Sequence, residues 1–556
     1  MILLITWLMR IGITYRKILL LVSMTCSCYL MEAQTFTSSN LPIIIIETNG
    51  QIIPDEPGVT VDLGIIDNGV GQINLISDPF NDYSGEVYIE IRGSSSQSFP
   101  KKSYSFETRD SLGMNNNVSL LNLPPENDWV LYAPYSDKTL MRNVLTYKLG
   151  RELGHYAPRT RYCELVLNGD FIGTYVLMEK IKQDANRVDI AKLLPTDITG
   201  DEVTGGYIIK IDKYTAGGSG WVSPFAPPNG SGQTISYQFH DPKDFELVPE
   251  QKAYIENYIN EFEMVLNGSD YLDPILGYHQ YLDINSFLDF LLINEISKNV
   301  DGYRLSTFLY KDKDSNDDKI HMGPLWDFNL GFGNANYYNG ELVEGFAYNF
   351  NYVGSGDNNL IPFWWERFLS DTVFTNALKC RWEELRESAF HTDTIVTYIY
   401  NLAITLDDAQ ERNFVRWPIL GTYVWPNYFL GSTYQEELNY LRLWIQSRMN
   451  WLDNNLPGTC PEPLFVYVGP EKELFTVFPN PVKEGLHVRS EEPGTLISKV
   501  HLYDVTGRIV KSTTSAKSTS ELVIQIPDKI CVKGVYFIDI ETDIPISSTR
   551  IKILKH

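Results

Sequence analysis

Two acids define the chemistry open to this chain. Asp301 follows SFLDFLLINEIS (Ser286 to Ser297), whose length and apolar spacing predict a buried helix, and precedes LSTFLYKD, which reads as a strand. A polar turn leads into KIHMGPLW, a second strand, and Asp327 stands directly after it. The order is helix, acid, strand, turn, strand, acid, so two neighbouring strands carry one carboxylate each. Carboxylates so placed suit phosphoryl transfer: Asp301 would orient or deprotonate an acceptor hydroxyl, and Asp327 would hold a divalent cation that neutralises phosphate oxygens. Two carboxylates beside a phosphate cluster make physical sense only with a cation between them, so Mg²⁺ is expected, with Mn²⁺ as an alternative. In WDFN, Asn329 would add a neutral oxygen ligand where a second carboxylate would bind more strongly.

The elements that must position these acids are legible upstream. EVYIEIRG (Glu86 to Gly93) alternates as a strand, SSSQSFP is a polar loop, and KKSYSFET is another strand with Lys102, Tyr104 and Phe106 on one face. On that register Lys101 points the other way, into solvent. SDKTLMRNVLTYKLGRELG predicts a helix capped at Ser136 or Asp137 and stopped at Gly154. CELVLNGDFIGTYVLMEKI predicts two strands joined at the NGD turn. GGYIIKIDK is a further strand, TAGGSGWVSPFAPPNGSGQT a Gly/Pro/Ser-rich insertion, and PEQKAYIENYINEFEMVLNG an amphipathic helix. WWERFLSDTVFTNALKCRWEELRES reads as a pair of packed helices, with Trp364 and Trp365 in the core.

Composition excludes whole classes. The chain has 556 residues, 43% of them hydrophobic, which is ample for a large packed domain and a small one. A formal charge of −24 argues against nucleic acid as a partner. There is no G-x-S-x-G, no HExxH and no ligand spacing among the 8 histidines, so a hydrolase lacks support. None of the 6 cysteines shows CxxC spacing; a zinc site is unsupported, the four outside the N-terminal segment are too scattered for a disulfide framework, and Cys163 is expected as a small buried apolar residue.

Several of these stretches, taken together, resemble the CotH-type kinases related to bacterial spore-coat protein kinases. The resemblance runs through RGSSSQSFPKKSYSFET, DWVLYAPYSDKTLMRNVLTYKLGRELG, ELVLNGDFIGTYVLMEKI, NVDGYRLSTFLYKD and GPLWDFNLGFGN, over about residues 42 to 455. It implies an α+β, atypical protein-kinase-like two-lobed domain that transfers the ATP γ-phosphate to Ser or Thr hydroxyls of proteins. Laid against the kinase order, Asp301 takes the catalytic position, Asp327 and Asn329 the metal, and Arg92, Lys102, Arg142 and Glu179 the nucleotide. The loop after Arg92 has only Gly93 and not the usual glycine run, so its serines and backbone N–H groups would meet the phosphates. Ser306 stands where common kinases carry the Asn that binds a second cation. With Asn329, this leaves a weakly active pseudokinase, serving as a surface structural or adhesive protein, as the alternative, the more so because ATP is scarce outside cells.

Export is expected from both ends. Arg16 and Lys17 precede ILLLVSMTCSCYLM, an apolar run of signal-peptide length, so residues 1–33 read as a cleaved signal, with Cys26 in a weak lipobox-like context. PGTCPEP and VGPEKE make residues 456–474 a linker, and residues 475–556 turn to short alternating strands that predict a small all-β, immunoglobulin-like sandwich. FPNP, LYDVTGRIV, GVYFIDI and the basic end RIKILKH resemble the C-terminal sorting domain of the type IX secretion system of Bacteroidetes. That implies the type IX secretion machinery as a partner, a secreted or cell-surface destination, and membrane contact only through export or surface attachment.

Overall fold

Seven strands with apolar residues at every second position close into a barrel. They are β1 (Ile43–Glu47), β2 (Val59–Ile66), β3 (Tyr83–Arg92), β4 (Ser103–Thr108), β5 (Asp128–Tyr132), β6 (Thr160–Leu167) and β7 (Asp170–Glu179) in the computed structural model. The structure describes residues 36–213, 219–230, 232–460, 475–490, 495–504, 509–526, 534–542 and 550–555. The barrel order is β1-β2-β3-β4-β5-β7-β6; every pair is antiparallel except β6 with β1, which runs parallel and closes the ring. Ile44, Ile46, Leu63, Val87, Ile89, Tyr104, Phe106, Trp129, Leu131, Leu165, Tyr175 and Leu177 fill its interior. Because side chains alternate, Ser103, Val130, Tyr132 and Met178 face outward from the same strands and line a cavity.

Across that cavity lies a five-stranded antiparallel sheet, β8 (Tyr207–Ile211), β9 (Gly220–Val222), β10 (Ser236–Asp241), β11 (Thr307–Lys311) and β12 (Ile320–Met322), in the order β9-β10-β8-β11-β12. Helices accompany barrel and sheet: α1 (Arg142–Glu152), α2 (Pro249–Asn267), α3 (Ile284–Ser297), α4 (Trp364–Ser370), α5 (Thr372–Arg386), α6 (Thr392–Arg416) and α7 (Tyr434–Asn455). α3 packs on β12, α6 lies against β7 of the barrel, and α1 borders the cavity through Asn143 and Tyr147. α3 is buried nearly all round, and Phe287, Leu291, Trp364, Trp365 and Ile445 share its core. Asp283 caps it by accepting from the Ser286 N–H at 2.7 Å, and Lys298 ends it in the left-handed region, φ 44°.

α1 starts later than its sequence predicts. Leu140 takes a left-handed φ of 63°, which breaks the helix, and Asp137 instead accepts from the Arg142 N–H at 2.8 Å. The cysteines also depart from expectation, since Cys380 of α5 is disulfide-bonded to Cys460 just after α7. Two cysteines 80 residues apart carry no local signal, and only the packing of α5 beside the end of α7 brings them together. Cys163 is buried and unbonded, as its strand context implies.

The chain divides into two compact units at Cys460 and Pro461. The second consists of two antiparallel sheets, β13 (Phe475–Phe478), β14 (Gly485–Ser490) and β17 (Glu521–Gln525) in one, β15 (Ile497–Tyr503), β16 (Ile509–Thr519), β18 (Gly534–Thr542) and β19 (Arg550–Lys555) in the other. Leu486 and Val488 of the first face Val500, Leu502 and Ile538 of the second in one core. The signal segment 1–33 with Cys26, most of the linker, Cys531, and parts of the Gly/Ser-rich insertion and of LYDVTGRIV lie outside the described residues. Among the described residues, no helix is long and apolar enough to cross a membrane.

Candidate active site

The chain leaves α3 through a left-handed residue and turns back sharply, which aims Asp301 into the cavity. Arg304 fixes the turn: Nη2 donates to Asp301 Oδ1 at 2.8 Å, Nε to the Val300 carbonyl at 2.9 Å and Nη1 to the Asn359 carbonyl at 3.0 Å. Its guanidinium sits 3.9 Å from the Phe350 ring centroid. Burial raises the Asp301 pKa, Arg304 opposes that, and the nearby charges of Asp357 and Asp212 add to it. A carboxylate so held accepts a proton more readily than a solvated one.

Asp327 follows β12 in a left-handed conformation, φ 64°, which non-glycine residues adopt only when their surroundings demand it. Here the demand is visible. The Tyr147 hydroxyl of α1 accepts from the Asp327 N–H at 3.2 Å, Asn143 Oδ1 accepts from the Phe328 N–H at 2.8 Å, and Asn299 Nδ2 donates to the Asp327 carbonyl at 3.3 Å. The backbone is thus held from both α1 and the loop of Asp301. The carboxylate itself is accessible from the cavity and, among the described residues, has no hydrogen-bond or ion-pair partner. Although exposed, it sits within the cavity walls; desolvation there, followed by the charge of Asp301, raises its pKa to about 6.

The cavity between barrel and sheet holds about 440 Å³, room for a nucleotide-sized ligand. Its cations are Arg92 at the end of β3, Lys180 just after β7, and Lys210 and Lys213 from β8 and its end. Arg92 lies 5.1 Å over the Trp326 ring; burial lowers its pKa while Asp327 opposes that. The loop Gly93–Ser96 forms one rim. Gly93 has φ 109°, and a Cβ there would meet Ser96 Oγ at 2.1 Å, so only glycine allows this approach. Lys213 Nζ donates to Ser94 Oγ at 2.5 Å and ties the rim to the sheet. Val130, Met178, Ile181 and Phe308 make the apolar end, where burial holds His240 neutral, its pKa lowered to about 3, so that Nε2–H donates to the Ile181 carbonyl at 3.0 Å.

Of the residues singled out by sequence, Asp301, Asp327, Asn329 and Arg92 line this one cavity, with Ser306 beside them. Lys102, Arg142 and Glu179 do not. β4 begins only at Ser103, and Tyr104 and Phe106 turn into the barrel, so Lys102 folds back and its Nζ donates to the Gln97 carbonyl at 2.5 Å. Lys101 is buried rather than solvated: its Nζ donates to Asn413 Oδ1 at 2.8 Å, on α6. Arg142 is buried against Asp137 at 2.5 Å and donates to the Gly331 carbonyl at 3.1 Å, which anchors the loop after Asn329 to α1. Glu179 is fully buried and accepts from the Arg159 N–H and Nη1, facing away from the cavity. Sequence reasoning missed Lys180, Lys210, Asp212, Lys213 and Arg304. KIDK at a strand end was the available signal for three of them.

A divalent cation fits the donors present. Asp212, Asp301, Asp327, Asn329 and Ser306 offer hard oxygens, and the Asp327 carboxylate has lone pairs that nothing in the described residues uses. Among the described residues, no group of three or more His, Cys, Asp or Glu side chains gathers closely enough to hold a metal alone. That pattern matches Mg²⁺, which is usually held by one or two carboxylates together with substrate phosphates.

Comparison with known families gives two matches. Residues 89–452 match the family described as CotH kinase protein, and residues 476–554 match the secretion system C-terminal sorting domain. No curated protein matches the chain.

Proposed function

Since the chain belongs to the CotH kinase family and ends in a secretion system C-terminal sorting domain, we propose that it is an exported protein kinase that moves the ATP γ-phosphate onto Ser or Thr hydroxyls of proteins. The sorting domain indicates type IX secretion and a secreted or cell-surface destination. The observation that carries the kinase reading is the convergence of a partnerless acid, Asp327, a positioned acid, Asp301, and four cations on one nucleotide-sized cavity.

The two-lobed kinase-like arrangement is part of this proposal: the barrel with its serine rim stands for the nucleotide-binding lobe, and the sheet with α3 for the lobe that carries the acids. Adenine would lie against Val130, Met178 and Phe308, with backbone groups near Ile181 reading its edge. Arg92, Lys213 and Lys210 would take the phosphates, in place of Lys102. Asp327 with Asn329 would hold Mg²⁺, which when bound neutralises phosphate charge and aligns the leaving group. Asp301 would accept the proton of the acceptor hydroxyl as its oxygen bonds to the γ-phosphorus, while the β–γ bridging P–O bond breaks and ADP leaves. Arg304 keeps Asp301 in place, and burial makes it the more basic.

The test is transfer of labelled γ-phosphate from ATP to a generic basic protein by the purified protein, with Mg²⁺ or Mn²⁺, beside Asp301→Ala and Asp327→Ala. Incorporation that both substitutions abolish supports the kinase. No incorporation, with no nucleotide-dependent rise in melting temperature, would leave the surface structural role.

A further inference from the structure

The mouth of the cavity continues into an aromatic ridge. Trp425 lines the cavity itself and is 47% exposed; its ring stacks on Tyr337 at 6.0 Å between centroids and 9° between planes. Tyr337 meets Tyr338 edge-on at 5.2 Å, and Tyr338 meets Phe350 at 4.9 Å. Phe350 is the ring under Arg304, the residue that holds Asp301. Past it opens a groove of about 630 Å³, floored by Asn299 and Val300 next to Asp301, and walled by Phe346, Phe350 and Tyr352. Tyr352 is 63% exposed, and its neighbour Val353 and Leu342 opposite are exposed too.

The ridge therefore passes Asp301 with apolar surface on both sides of it. A small acceptor would fill only the mouth of the cavity and leave the groove without a role. An extended polypeptide would span both, because each residue advances about 3.3 Å along the ridge. The acids nearest the reacting position are already engaged: Asp301 and Asp357 both pair with Arg304, and Tyr338 Oη donates to Asp357 at 3.1 Å. Beside Asp301 a basic residue would find those two carboxylates taken, leaving the exposed Glu344 in the groove as an acid within reach, whereas an aromatic or large aliphatic residue finds rings to pack on along the whole ridge.

We propose that the acceptor is an extended polypeptide whose Ser or Thr is flanked by aromatic or large apolar side chains, one on Trp425 and one in the groove at Tyr352. This rests on the kinase reading above and narrows its substrate class.

A peptide library with one central Ser, and Tyr, Leu, Gly or Lys at each flanking position, tests it with the full-length protein, beside a generic basic protein and a free sugar as acceptors. Tyr or Leu flanks are expected to raise kcat/KM about tenfold over Gly or Lys. Trp425→Leu should erase the preference on one side and Tyr352→Ala on the other, the latter leaving KM for ATP unchanged. Tyr352 lies on the surface, so that variant keeps its fold. Phosphorylation of the basic protein with no preference for apolar flanks would overturn the inference and leave the kinase reading intact, as would transfer to the sugar alone leave only phosphoryl transfer. No transfer to any acceptor would remove both.

Discussion

Glu295 and Asp327 are acids of neighbouring segments that the fold treats in opposite ways. Glu295, on α3, is 0% exposed, and every lone pair it offers is used: it accepts from Arg448 Nη2 at 3.0 Å, Tyr303 Oη at 2.9 Å, and the N–H groups of Ala347 at 2.8 Å and Tyr348 at 3.0 Å. Asp327 has its backbone held on both sides and its carboxylate left without a partner. A buried acid that is fully satisfied fixes structure; one whose backbone is pinned while its oxygens face a cavity is poised for something the chain does not contain. Desolvation raises the pKa of both. What separates them is exposure together with hydrogen bonding: Glu295 is sealed in and saturated, whereas Asp327 is exposed to the cavity and, among the described residues, unpaired, so a raised pKa alone would not distinguish the structural acid from the functional one.

The largest expected effect tests that division directly. Asp327→Ala should abolish phosphoryl transfer below detection while circular dichroism and gel filtration stay those of the parent, whereas Glu295→Ala should cost about 3–5 kcal/mol in a denaturant titration, because Arg448 is left buried and unpaired. If Asp327→Ala unfolded the protein as Glu295→Ala does, the distinction between them would fail. Next comes the Cys380–Cys460 bond, which belongs with Glu295 on the structural side. Closing a loop of 80 residues is worth about 4 kcal/mol. Replacing both cysteines by serine should lower stability by about that amount at equal transfer rate per folded molecule; a lost rate with stability unchanged would move the bond to the functional side. Among the cations, Arg92→Met should weaken ATP binding about tenfold or more, read by nucleotide-dependent melting, and Lys102→Met should change it less than about threefold. Equal losses from the two would mean that Lys102 reaches the phosphates when nucleotide binds.

That last pair shows where sequence stops informing. The run of helix, acid, strand, turn, strand, acid is local, and each element has a period or a turn signal of its own, so Asp301 and Asp327 come to one cavity for reasons readable within 45 residues of chain. Lys102 depends on where β4 begins. Tyr104 and Phe106 share a face as their alternation predicts, but that face is the barrel interior, and the barrel exists only because β6 pairs in parallel with β1, Ile43 opposite Glu164. Lys101 is buried by Asn413, 312 positions away. Alternation states which residues share a face; it does not state which face is wet. Arg304 and Asp212 were passed over for a similar reason, as one charged residue beside a strand looks like any other until Asp301 is found against it.

The smallest predicted effect concerns pH, and it sharpens the comparison at Asp327 itself. Its pKa is raised from 3.8 to about 6 in the nucleotide-free protein. A raised carboxylate pKa means that the folded state holds its proton more tightly than the unfolded state. Stability from this group is therefore complete below the unfolded value of 3.8 and falls away as pH rises through about 6. Asp327→Asn removes the titrating group and keeps the shape, so it should match the parent in melting temperature near pH 4 and exceed it by a few degrees above pH 7, the gain being small because solvent in the cavity screens the charge. Added Mg²⁺ and ATP should close the gap above pH 7 by stabilising the parent and not the variant, since the charge that destabilises the empty cavity is the one that binds the cation. Transfer by the parent should rise with pH through the same range, as the proton that competes for Asp327 is lost. A variant no more stable than the parent above pH 7 would show that Asp327 is ionised at no cost, and would place its carboxylate in contact with water or a cation throughout.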